Sequence, residues 1–127
     1  MTSWAEALPG WVVRPPRQVA DADRMARSLV EVNGSAEAKG VVLTVGWVVG
    51  AWSAPLTARP KQDLVTREQA QEESWLALCE AAGEAPSEQE LRKLGLVPQR
   101  AATGDDAEQA YGIWRTLNWL LGTYTDP

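Results

Sequence analysis

Apolar residues recur along this chain mostly at three-and-four spacing, the period of helices that bury one side. The first such row runs over residues 21–32, with Ala22, Met25, Ala26 and Leu29 on one side and Asp23, Arg24, Arg27 and Glu31 mostly elsewhere, so a helix that buries the first group is predicted. Asn33 and Gly34 tolerate left-handed backbone and end it. Ser35 suits the cap of a second helix, whose first turn carries Glu37 and whose body is the apolar run over residues 41–52. Apolar side chains surround that run, which places it at the centre of the fold. Because valine is its commonest residue and is β-branched, a strand over residues 41–49 is the competing reading, with helix preferred.

Thr66 and Gln69 form a capping box that opens a helix to about Ala82, with Trp75, Leu78, Cys79 and Ala82 on one face. Ser87 and Glu90 make a similar box and start a short helix over residues 87–96. The last helix spans residues 105–121, with Ala110, Trp114, Leu117 and Leu121 inward, Gly122 as its stop, and Asp105 and Asp106 at its positive end. Ahead of all these, Ser3 and Glu6 have capping-box spacing, but Pro9 and Gly10 limit that helix to about one turn, and residues 11–16 read as extended. The fold predicted is all-α: a compact single-domain bundle of about five helices around a central apolar helix near residues 36–52. An N-terminal arm, residues 1–18, packs on the domain or on a partner.

The chain also echoes itself. At an offset of 72 residues, GVVLTVGWVVGAWSAP (40–55) aligns without gaps on GIWRTLNWLLGTYTDP (112–127), pairing Gly40 with Gly112, Thr44 with Thr116, Trp47 with Trp119, Gly50 with Gly122 and Pro55 with Pro127. In each copy a Trp stands three residues before a Gly suited to a left-handed helix ending, an aromatic follows two residues later, and a proline forbids continuation. Duplication and convergent capping both account for this. Under either, the aromatic is placed to fold back over the last turn and shield its free carbonyls; duplication predicts in addition that the two helices pack as a pseudo-symmetric pair.

Composition narrows the chemistry. A chain of 127 residues with 45% hydrophobic and 23% charged side chains is long enough and apolar enough for a conventional core, with no segment biased toward disorder. A net charge of −5 argues against a broad phosphate-binding surface. A lone cysteine, Cys79, forms no internal disulfide, and Met1 is not followed by a secretory leader, so a cytoplasmic location is expected. The run 41–52 is too short to cross a bilayer, and no membrane partner is expected.

With no histidine in the sequence, Ser-His and Cys-His nucleophile pairs and histidine-containing zinc sites are excluded, and no metal or cofactor is expected. Cys79, on an apolar face without a second thiol, reads as packing. Asp21 and Asp23 resemble the opening of a calcium loop, but Ala26 and Val32 stand at its sixth and twelfth positions. GSAEAKG (34–40) fails as a phosphate loop because Lys39 precedes the second glycine and Val41 follows it. The carboxylates Glu72, Glu73, Asp105 and Asp106 stay open as an acid-base set, although their helical positions favour solvated faces or caps.

Two features point to association. Gly46 and Gly50 form GxxxG in an apolar helix, which suits close helix packing. Trp4 and Trp11 flank an N-terminal turn with Leu8 between them, and such residues either tuck under the domain or dock on a partner. The expected function is therefore a non-catalytic helical protein-protein interaction or assembly protein, with a protein partner or a second copy as ligand; a phage or other mobile element is one source of such chains. The alternatives are a small DNA-binding regulator using Arg14, Arg17, Arg24 and Arg27, and an enzyme using carboxylates or a bound cofactor.

Overall fold

A computed structural model describes residues 8–56, 65–82 and 105–122. Among these residues the fold is all-α, with no strand and four helices: α1 (Pro16–Asn33), α2 (Ala36–Val48), α3 (Arg67–Ala81) and α4 (Asp105–Leu121). The helix expected over residues 87–96, the Ser3–Glu6 pair and Trp4 lie outside the described residues.

The valine-rich run is helical, and its competing strand reading falls away. Ser35 caps it, its side-chain oxygen accepting from the Ala38 N–H at 3.1 Å. The helix stops at Val48, four residues short of the expected end, because Gly50 adopts φ 82° and the chain turns back. The Ala51 and Trp52 N–H groups both donate to the Gly46 carbonyl, and the Trp52 ring lies where a Cβ on Gly46 would be. The aromatic thus folds back over the last turn. At the other end of the chain segment, α1 begins at Pro16, five residues before the expected start at Asp21. Pro16 at the first helical position fixes φ without sacrificing a needed N–H, and Val19 in the added turn is fully buried. The capping box of α3 is complete, with reciprocal bonds between Thr66 and Gln69.

The most extensive interface joins α2 and α4, while α3 lies along α4 and α1 along α2. At the crossing, a Cβ on Gly40 would overlap the backbone carbonyl of Gln109, and a Cβ on Gly112 would overlap the backbone carbonyl of Glu37. Gln109 stands three residues before Gly112, as Glu37 stands three before Gly40, so each helix meets the other through the same feature. The correspondence continues outward. Thr44 donates to the Gly40 carbonyl at 2.8 Å and Thr116 to the Gly112 carbonyl at 2.7 Å, both buried. Trp47 and Trp119 are buried, as are Val45 with Leu117 and Val48 with Leu120. Gly50 and Gly122 take φ 82° and 91° and donate to the Trp47 and Trp119 carbonyls. Over residues 40–50 and 112–122 the echoing segments form the pseudo-symmetric pair that duplication predicts, and small residues at the crossing let the backbones touch, where dispersion is strongest; Tyr124 and Pro127 lie outside the described residues.

The N-terminal segment straps this pair. The Trp11 indole N–H donates to the Val65 carbonyl at 2.7 Å, the Val13 N–H to the Leu120 carbonyl at 3.0 Å, and Arg14 Nε to the Trp119 carbonyl at 2.8 Å. Leu8, Trp11 and Val12 pack on the core beside them. The Leu120 carbonyl, in the last turn of α4, thereby gains a donor, and the Trp119 carbonyl a second one beside the Gly122 N–H.

Two helices present faces other than those expected. α3 buries Ala70, Glu73, Ser74, Leu76 and Ala77, and leaves Leu78 46% exposed. Small residues on its inner side allow close contact with α4, where Ser74 accepts from Asn118 at 2.9 Å. α1 buries Val19, Asp23 and Ala26, while Met25 and Leu29, expected inside, face outward.

Candidate functional site

The rotation of α1 defines the candidate site. Two rows run along this helix, one residue apart. The inner row is Val19, Asp23, Ala26 and Val30; the outer row is Gln18, Ala22, Met25, Leu29 and Val32. By side-chain size the outer row is the more hydrophobic, yet Met25 is 69%, Leu29 42% and Val32 77% exposed. The inner row is held by its small size and by a polar anchor. Arg27 Nε donates to Asp23 Oδ2 at 2.9 Å, and the guanidinium lies 5.7 Å from the centre of the Trp52 ring, the ring that closes over Gly46. Asp23 Oδ1 is buried without a hydrogen bond among the described residues.

Beside the outer row an open groove of about 170 Å³ runs between α1 and α2. Ala22 and Ala26 from α1, Ala38 from α2 and Gly112 from α4 supply small walls and floor; Met25 and Leu29 stand on one rim and Glu37 with Arg115 on another. The Glu37–Arg115 ion pair joins α2 to α4, with both side chains a little over one-third exposed, and Arg115 also stacks 6.0 Å from the Tyr111 ring. Past this pair lies a more polar recess bordered by Ser35, Glu37, Ala81, Glu108 and Tyr111. The arrangement provides an apolar trough with a charged edge, and the outer row of α1 stands proud of it.

Of the residues singled out in the sequence, Leu8 and Trp11 are brought together by the strap, where they pack against their own core. Gly46 faces Trp52 instead of another helix and Gly50 ends α2, so the close backbone approach is made by Gly40 and Gly112. Glu73 is fully buried and accepts from the Leu56 N–H at 3.1 Å; Glu72 is half-buried one residue away. The side chains of Asp105 and Asp106 lie outside the described residues. Gly34 takes a left-handed turn after α1 and Ser35 caps α2, so the 34–40 segment is a helix corner. Three of the four candidate arginines have internal partners: Arg14 at Trp119, Arg24 at Asp21 and Arg27 at Asp23.

Among the described residues no group of three or more His, Cys, Asp or Glu side chains is arranged to hold a metal ion. No helix among them is long and apolar enough to cross a membrane. The chain matches no family model, no curated protein and no solved structure. The open face of α1 was visible in the sequence only as an apolar row, and an apolar row carries no mark saying whether its cover belongs to the same chain. The signal that identifies it is the second row one residue away, which competes for the inside and wins.

Proposed function

We propose that this protein works by association, docking a helix of a protein partner on the outer row of α1 and the groove beside it. One observation carries the reading: α1 turns its bulkier apolar side to solvent. Contiguous exposed apolar surface of this kind, rimmed by charge, marks interaction sites more often than idle surface. The groove's small-residue floor suits inserted side chains, and its Glu37–Arg115 rim offers both signs of charge for orientation. Of the four arginines weighed for a phosphate backbone, Arg14, Arg24 and Arg27 are engaged within the chain, which disfavours that alternative.

The test is capture from a lysate of the source cells by wild type and by Leu29→Glu, with Leu78→Glu on α3 as an exposed-site control. The reading expects at least one protein retained by wild type and the control and lost by Leu29→Glu. Identical sets retained by all three would overturn it.

A further inference from the structure

We propose that α1 turns about its own axis between two seats on α2, and that in the second seat the groove of this same chain covers the outer row; that the turn shuts a docking face rests on the reading above. The helix is lightly tied. Among the helices it lies along α2 only, and no hydrogen bond or ion pair among the described residues joins one of its side chains to another helix: Asp21 with Arg24 and Asp23 with Arg27 both stay within α1. The other interfaces are pinned, α2 to α4 by Glu37 with Arg115 and α3 to α4 by Ser74 with Asn118. The Arg27 guanidinium over the Trp52 ring is a contact that a long side chain keeps through a modest turn. Past the end of α1, Gly34 has nothing within 4 Å of where a Cβ would stand.

The present seat leaves both rows ill placed. Asp23 Oδ1 is buried without a hydrogen bond among the described residues, which is costly for a carboxylate oxygen, while Met25 and Leu29 face water. The void lies on the side that relieves both. Successive residues are about 100° apart around a helix, so Asp23 stands about 60° to one side of Ala26, and Ala22 and Leu29 about 40° and 60° to the other, where the groove opens. A turn of about 50° lowers Leu29 into the groove, draws Met25 in behind it and lifts Asp23 to water, with Ala26 and Val19 still against α2. At about 170 Å³ the groove exceeds the roughly 150 Å³ that holds a benzene ring, which is room for the Leu29 isobutyl group. The first seat is the major one because it buries Val19 completely. A partner helix binds that seat and holds the groove open; without a partner, the second seat closes it.

Collective helix motions run on the microsecond-to-millisecond scale, which methyl relaxation dispersion reads. The experiment uses the full chain with isotope-labelled methionine methyls, the Met25 signal being the one that disappears in Met25→Leu. Exchange is expected at that methyl, with a second state on the order of 1–10%, and unchanged when the protein is diluted. Asp23→Ala, which removes the buried oxygen that favours leaving the first seat, should lower the second state by about threefold or more. Gln18→Leu, which adds an apolar side chain to the outer row, should raise it by about as much, and both variants should keep the wild-type circular dichroism. A Met25 methyl without exchange overturns the proposal, as does exchange that varies with concentration or is indifferent to either substitution. If the methyl is static but Leu29→Glu still loses a captured protein, the turning helix is wrong and the docking face stands. If exchange follows the prediction and Leu29→Glu loses nothing, the turning helix stands and the docking reading falls.

Discussion

Replacing Gly40 by alanine sets two effects of opposite sign against each other. Alanine is the better helix former, by about 1 kcal/mol in an open helix interior. At this position its methyl group would overlap the Gln109 carbonyl oxygen and crowd the Ile113 nitrogen. Because the obstacle is backbone, relief requires α2 and α4 to move apart. A separation of about 1 Å forfeits a quarter to a half of the dispersion attraction at each facing atom. Overpacked cores lose about 1–3 kcal/mol, and the upper end applies where a whole interface shifts. Net of the helix gain, Gly40→Ala should lose about 2 kcal/mol, lowering the thermal midpoint by roughly 6–8 °C for a chain of this length. Gly112→Ala should lose the same within about 1 kcal/mol, and the double variant less than the sum, since both push one pair of helices apart. Gly10→Ala, where a Cβ meets nothing within 4 Å, is the control. Urea unfolding followed by tryptophan fluorescence reads all four. A Gly40→Ala protein as stable as wild type would refute the reasoning.

Glu73→Leu should cost about 3 kcal/mol, because it strips the buried acceptor from the Leu56 N–H, whereas Glu73→Gln keeps an acceptor and costs less; urea midpoints decide. Asp23→Ala, by contrast, should change stability by no more than about 1 kcal/mol, since the lost Arg27 bond is offset by removing an oxygen that is buried without a partner. Thr66→Ala should lose about 1 kcal/mol and expose the start of α3 to faster amide exchange. Arg14→Ala should cost about 1 kcal/mol by removing one of two hydrogen bonds to the Trp119 carbonyl, which keeps the Gly122 N–H, and the cation over its ring, with a change in tryptophan emission as the local sign.

Much of the backbone plan was legible in the sequence because helix ends carry their own chemistry. The Thr66–Gln69 box, the Ser35 cap and the left-handed glycines at 34, 50 and 122 each act through atoms a few residues away. The Gly40–Gly112 crossing was foreshadowed by the echo, since two segments with matching glycines at matching distances from matching ends can meet through them. The facing of α1 and α3 was not legible. Periodicity identifies rows, but which row turns inward depends on what the neighbouring helix offers. On α1, which lies along α2, the smaller inner row is buried, and Met25 with Leu29 is left on the rim of the groove. On α3, Ser74 accepts from Asn118 of α4, and the small Ala70 and Ala77 are buried with it while Leu78 is left exposed. The candidate site was hidden for the same reason: its residues look like core until the packing shows that they are outside it.

Carbene footprinting of the purified chain tests the outward face of α1 most directly. Met25, Leu29 and Val32 should label strongly, as Val13 and Leu78 do, while Val19 and Ala26 of the inner row stay unlabelled. Labelling of Val19 and Ala26 above that of Met25 and Val32 would contradict the account.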